Sequence, residues 1–272
     1  MNRGLRILSA GKTYGRGENA TVAVDGCTID IAEGQFCAIV GPSGCGKSTL
    51  LNAVAGFEQL SQGRIELDGR VINSVQQAPK PGPERMVVFQ NGALFPWATV
   101  AENLIRAPIV QGRMTDVEAM AEARDRLARV GLNDLWHQYP STLSSGMLRR
   151  IEIIRALLIN PQVILLDEPF RGLDTVSKNA THACLLELWQ ARPRTVMMVT
   201  HDLDEALLLA DKVVVMSSRP GRVRLTLDVD LPRPRPENIQ RHPAFLALKA
   251  QLIEAVHEEA LKAFTAGERE LA

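Results

Sequence analysis

The run Gly41-Pro-Ser-Gly-Cys-Gly-Lys-Ser-Thr49 fits the pattern Gly-x-x-x-x-Gly-Lys-Ser, and the chemistry of those residue types is the holding of phosphate. Glycines let a backbone curl around an anion, and a helix starting at Lys47 presents free N–H groups and the positive end of its dipole. The lysine adds a point charge for the β- and γ-phosphates of a nucleotide. The Ser48 hydroxyl is placed to ligate magnesium. A second candidate is Val163-Ile-Leu-Leu-Asp-Glu-Pro169, an apolar run ending in adjacent carboxylates. At the end of such a strand Asp167 can hold Mg2+, directly or through water, and Glu168 can reach a γ-phosphate as general base for an attacking water. The alternative for Glu168 is a solvated or helix-capping acid just past a strand end.

A phosphate loop needs a strand before it and a helix after it. Gln35-Phe-Cys-Ala-Ile-Val40 is rich in strand formers, and the segment from Lys47 to Ala55 has helical composition, stopped by Gly56 as a C-terminal cap. Further strands are predicted over 21–24, 27–31, 163–166, 195–200 and 212–216, the one ending at Asp167 lying beside the P-loop strand. Apolar residues recur at helical spacing between 100 and 130 and again over 147–159, which reads as a helical subdomain; helices over 178–190 and 204–210 separate the later strands. Continuous apolar strands alternating with helices predict a parallel sheet covered on both faces. From about Leu231 the stretch Pro-Arg-Pro-Arg-Pro236 reads as a linker, followed by an amphipathic helix carrying Phe245, Leu248, Leu252, Val256 and Phe264.

Bulk properties exclude several classes. With 272 residues, 46% of them hydrophobic, the chain can bury a substantial core. Its 31 Lys and Arg balance 31 Asp and Glu, so no global field draws it to nucleic acid or to an anionic bilayer. No apolar run approaches the roughly 20 residues needed to cross a bilayer, and residues 1–9 lack the apolar stretch of a secretory signal. The expectation is a cytoplasmic chain, peripheral to a membrane only if a partner holds it there. Cys27, Cys37, Cys45 and Cys184 show no C-x-x-C spacing, which argues against a zinc site or a disulfide framework.

The remaining signals, in their order, give a family resemblance. Leu143-Ser-Ser-Gly-Met147 resembles the signature of ABC transporter ATPase subunits, normally Leu-Ser-Gly-Gly followed by Gln or Met. Gln90 in Val87-Val-Phe-Gln90 resembles the Q-loop, Asp174 in Gly172-Leu-Asp174 the D-loop, His201 in Val199-Thr-His-Asp202 the switch histidine, and Tyr14 the aromatic that stacks on adenine. The resemblance spans about 5–223 and implies an α/β P-loop NTPase: a RecA-like core with an antiparallel β portion and an inserted helical subdomain at about 95–158. The cassette would occupy 1–230 and a short extension 231–272. It implies ATP and Mg2+ as cofactors, with Gly41, Pro42, Ser43, Gly44, Cys45, Gly46, Lys47, Ser48 and Thr49 around the phosphates and Tyr14 at the base. Ser144, Ser145, Gly146 and Asp174 would act on the ATP held by a second ATPase subunit, so the working site would be a dimer's, most simply a homodimer's. Glu168, His201, Lys47 and Gln90 would carry catalysis, and Ser48, Gln90 and Asp167 the metal.

The branch most similar is the importers of nitrate, taurine, aliphatic sulfonates and related ions, on stretches such as Leu94-Phe-Pro-Trp97, Asp167-Glu-Pro-Phe170 and Ser218-Arg-Pro-Gly-Arg222. That branch implies transmembrane permease subunits as partners on the cytoplasmic face of the inner membrane, indirectly a periplasmic or extracellular solute-binding protein, and no nucleic acid. Phe95 and Trp97 either line the groove that receives a permease helix or are core aromatics. Export, lipid trafficking and a nucleotide-binding regulatory role are the alternatives. Two residues depart from the family pattern. Ser145 replaces a glycine: either it is accommodated in helical conformation, or the signature is impaired. Arg171 stands where a small residue is usual. Cys45, beside Lys47 and a helix N-terminus, is expected to have a lowered pKa and to block nucleotide binding when alkylated.

Overall fold

The computed structural model describes residues 3–265. It divides into two compact units, one formed by the described residues up to Gly82 and from Arg194 onward, the other by Pro83–Pro193.

In the first unit β1 (Gly4–Tyr14), β2 (Thr21–Ala32), β4 (Gln62–Leu67) and β5 (Arg70–Ser74) form an antiparallel sheet in the order β2-β1-β4-β5. The two short strands predicted over 21–31 are one strand, because Asp25-Gly26 makes an irregularity in the pairing with β1 rather than a reversal. β3 (Phe36–Val40) is buried at every residue and parallel on both sides, to β8 (Thr195–Val199) and to β9 (Lys212–Met216). β10 (Val223–Asp228) closes against β9 antiparallel. Since both edges of β3 are taken, the strand ending at Asp167 is not its neighbour, contrary to the sequence expectation. α1 (Lys47–Ala55) buries Leu50, Leu51 and Val54 and ends at Gly56, whose N–H bonds Asn52 O.

α6 (Leu203–Leu209) and the C-terminal α7 (Pro243–Thr265) complete this unit. Phe245 and Leu252 of α7 are fully buried, and removing two such side chains from water supplies about 3–6 kcal/mol at most. Of the rest of the predicted amphipathic stripe, Leu248 and Val256 are half-buried and Phe264 is exposed, while buried Glu259 receives the Ser218 N–H and pairs with Arg224 and Lys262. The Pro-Arg-Pro-Arg-Pro stretch is no linker. Arg235, 8% exposed, donates to the carbonyls of Leu207 (2.7 Å), Leu208 (3.1 Å) and Ala210 (2.7 Å) and to Val229 O (3.3 Å). Arg233 donates to Leu209 O (2.6 Å) and to Asp211. The carbonyls of Leu207, Leu208, Leu209 and Ala210 are those at the end of α6, so two arginines satisfy one helix terminus. Burial, with Arg233 close by, lowers the Arg235 pKa to about 10.

The second unit holds a parallel pair, β6 (Arg85–Val88) and β7 (Val163–Asp167), and the helices α2 (Val100–Val110), α3 (Asp116–Arg129), α4 (Ser145–Leu158) and α5 (Thr175–Ala191). Capping boxes built on Thr99 with Glu102 and on Thr115 with Glu118 start α2 and α3, splitting the helical pattern of 100–130 in two. The segment expected as a helical subdomain lies within this unit, which also contains both strands and α5.

Candidate active site

In the first unit the P-loop leaves the buried end of β3 and enters α1 through Gly46. This residue is left-handed (φ 93°), and a Cβ on it would lie 2.6 Å from Ala23 O, so glycine is required twice over. Leu50 N–H bonds Gly46 O (2.9 Å), the first bond of the helical ladder, and Cys45 N–H bonds Pro42 O (3.4 Å) within the loop. Ser43, Gly44 and Ser48 are exposed, whereas Lys47 is 7% exposed and folds back, its Nζ donating to Gly41 O (2.8 Å) and Pro42 O (2.7 Å). Nζ also donates to Cys45 Sγ at 3.7 Å, so the ammonium rests on two carbonyls and a thiol.

His201 follows β8. Because β8 and β3 are parallel with Ile39 opposite Val199, the P-loop and His201 emerge at the same edge. Thr200 Oγ1 bonds Glu205 (2.9 Å), and Asp202 caps α6 by accepting from the N–H groups of Asp204 and Glu205. His201 is therefore the exposed residue of a turn fixed on both sides. Tyr14 ends β1 at 39% exposure with Lys12 Nζ 4.8 Å from its ring centroid, a face available for stacking and a cation beside it.

In the second unit the pairing of Val88 with Leu166 puts the chain entering Gln90 and the carboxylates Asp167 and Glu168 at one edge of the parallel pair. Glu168 has positive φ (43°), the sort of local strain that gathers at working sites, and Arg171 Nη1 lies 3.5 Å from its Oε2. Ser144 is the N-cap of α4, its side chain accepting from Met147 N–H at 3.3 Å, and Ser145 is the first helical residue. Ser145 is exposed and is not among the positive-φ residues, so its Cβ meets no conformational obstacle. The glycine that cannot change is Gly146. A Cβ there would lie 2.8 Å from Ser177 Cβ, where α4 packs on α5. Ser177 N–H also bonds Asp174, the N-cap of α5, whose carboxyl is held below the usual range by those Ser177 hydrogen bonds. Gly146 and Asp174 thus meet through one serine.

A family model described as "ABC transporter" matches residues 24–171. The chain belongs to that family. The bicarbonate transport ATP-binding protein CmpD of Synechocystis is 40% identical over 250 residues, 90% of this chain and 86% of its own length. The nitrate import ATP-binding protein NrtD of Synechococcus elongatus is 38% identical over 256 residues, 93% and 91% of the two chains. Among solved structures, the dimeric MJ0796, a bacterial ABC transporter cassette, is similar with TM-score 0.72 and 29% identity over 84% of this chain and all of its own. The structure of cbiO1 from Clostridium perfringens, described as part of the ABC transporter complex cbiONQ, gives TM-score 0.75 and 27% identity over 94% and 98% of the two chains.

Within this ABC cassette two residues of consequence escaped the sequence reading. Buried Arg149 of α4 donates to Phe89 O and Gln90 O, both at 2.6 Å, and pairs with Glu152 at 2.8 Å, fastening the backbone of Phe89 and Gln90 to the helix that Ser144 caps. Its position four residues after Ser145, on the same helix face, was the available signal. Ser177 is the other. Phe95 is half-buried and stacks on Trp97 at 5.4 Å, while Trp97 is 70% exposed and is therefore no core aromatic. Cys45 corrects an expectation: it is 1% exposed, and burial raises its pKa despite the opposing Lys47.

Proposed function

We propose that this chain is the ATP-hydrolysing subunit of an importer that takes up a small inorganic anion of the bicarbonate or nitrate kind. The observation that carries the reading is the shared edge at which the P-loop, with its buried lysine, and the capped His201 turn emerge. In the reaction Lys47 exchanges its two carbonyl partners for β- and γ-phosphate oxygens, and the N–H groups of 43–49 hold the phosphate chain. Glu168 accepts a proton from water as that water attacks the γ-phosphorus in line, the bond to the β-bridging oxygen breaks, and ADP and phosphate result. His201 orients the γ-phosphate and Tyr14 stacks on adenine. Ser48, Asp167 and Gln90 offer a hydroxyl, a carboxylate and an amide oxygen, hard donors suited to magnesium, which when bound neutralises phosphate charge.

Two subunits close head to tail, so that Ser144, Ser145, Gly146 and Asp174 of one complete the site of the other. The relatives' transport names and the solved dimeric cassette support this arrangement. Trp97 and Phe95, following Gln90, form the surface offered to a permease on the cytoplasmic face of the membrane, with a solute-binding protein delivering the anion from outside. No described helix is long and apolar enough to cross a membrane. The helical Ser145 favours a working signature over an impaired one. The test is phosphate release from Mg-ATP by the purified chain, alone and with its permease in proteoliposomes loaded with bicarbonate or nitrate. Absence of turnover in both settings refutes the reading.

A further inference from the structure

The stretch Ser218-Arg-Pro-Gly-Arg222, so far only a sequence signal, is built onto the P-loop. It follows β9, the strand that borders β3. Ser217 holds it as a hairpin: Ser217 N–H bonds Arg222 O (2.9 Å), and Ser217 Oγ accepts from Arg222 N–H (2.9 Å). Asp25 N–H bonds Gly221 O (2.9 Å), Gly221 N–H bonds Ala23 O (3.0 Å), and Arg222 donates to Asp25 Oδ2 at 2.6 Å. The fit is close at both ends. A Cβ on Gly221 would lie 2.0 Å from Cys45 O, and one on Gly41 would lie 2.7 Å from Met216 O. Nothing larger than glycine lets the hairpin approach so near.

At its tip stands Arg219, exposed, with its Nη2 3.6 Å from the position a Cβ on Gly44 would take, the single neighbour within 4 Å of that point. Gly44 is itself exposed and lies in the turn between β3 and α1. The cassette therefore carries two cations on one loop: Lys47 buried within it, and Arg219 brought to its open side by a hairpin with its own fastening to β2. A guanidinium offers a planar fork of donors that matches phosphate oxygens, which an ammonium does not.

We propose that Arg219 is an additional nucleotide-contacting residue, binding the phosphate chain of ATP and ADP. The inference rests on the P-loop reading above. The contact is made in ground and transition states alike, so it acts on affinity and not on the chemical step. The experiment titrates the full-length chain with the fluorescent nucleotides MANT-ATP and MANT-ADP, comparing wild type, Arg219→Ala, Arg219→Lys and, for the loss of one positive charge elsewhere, Arg241→Ala. Arg219→Ala should weaken both nucleotides about tenfold, Arg219→Lys less, with kcat at saturating ATP within about twofold of wild type. A Kd for Arg219→Ala within about twofold of wild type, or a shift matched by Arg241→Ala, overturns the proposal. Failure of the wild type to bind MANT-ATP removes the P-loop reading as well, so the two failures are distinct.

Discussion

Adding one methyl group at Gly146 tests the signature geometry directly. The new carbon would lie 2.8 Å from Ser177 Cβ, 2.9 Å from Ser177 Oγ and 3.5 Å from Ser177 Cα, where unbonded carbons rest at about 3.5–4.0 Å. A hydroxyl can rotate away, but a Cβ cannot, so α4 must part from α5. Overpacking costs about 1–3 kcal/mol, a Cβ–Cβ approach of 2.8 Å belongs to its upper part at about 2–3 kcal/mol, and alanine's helical preference over glycine returns about 1 kcal/mol. The net loss should be about 1–2 kcal/mol, or about 2–6 °C in melting temperature followed by circular dichroism. Turnover should fall further, at least about tenfold, because the displaced helix carries Ser144 and Ser145. Ser177→Gly removes both close atoms, so the double variant should melt no lower than Ser177→Gly alone, and above it by up to alanine's helical preference of about 1 kcal/mol. A Gly146→Ala protein as stable as wild type, or a double variant that keeps the whole deficit, refutes the reasoning. Ser145→Gly is the counterpart: at the exposed first residue of α4 it should cost about 0.5 kcal/mol and leave turnover unchanged, and a rise in turnover would mean that Ser145 impairs the signature.

Glu168→Gln should trap the closed pair, so light scattering should show an ATP-dependent shift from monomer to dimer; an ATP-bound protein that stays monomeric counts against self-pairing. Arg235→Met should lose about 3 kcal/mol in urea denaturation, because buried carbonyls at the end of α6 lose a charged donor, and a loss under about 1 kcal/mol would contradict the strap. Burial pushes the thiols of Cys27, Cys37 and Cys184 from 9.0 to about 12, so above pH 9 the unfolded chain ionises first and binds fewer protons than the native one. Stability should therefore fall as pH rises from about 9 to 12, by up to about 1.4 kcal/mol per pH unit for each thiol, and a triple Cys→Ala variant should show a flatter profile. Native Cys45 should react with iodoacetamide at pH 8 at least about tenfold more slowly than in urea; equal rates would contradict its burial.

The elements around the P-loop were legible because their signals are local: a buried strand former run, glycines at fixed offsets, a helix closed by Gly56. The order of strands was not, since nothing in Val163-Ile-Leu-Leu166 says that β8 rather than β7 borders β3; pairing partners are chosen by tertiary packing. Cys45 misled for a related reason. Its neighbours in sequence favour a thiolate, but the surrounding core excludes water, and burial wins. Arg149 was hidden in a helix whose other arginines look alike, its carbonyl partners being about sixty residues away. The Pro-Arg-Pro-Arg-Pro stretch matched a linker in composition, which carries no information about where two guanidinium groups end up.

Arg233 and Arg235 have a practical consequence for anyone exchanging cassettes between transporters. The helix they finish is the one that begins just after His201, so the seam of a chimera placed near 230 would sever that helix from the residues that close it. The interchangeable part is the cassette together with its tail. A graft that respects this boundary carries the turn at His201 on an intact helix, whereas one cut at the apparent domain end imports a frayed helix along with it.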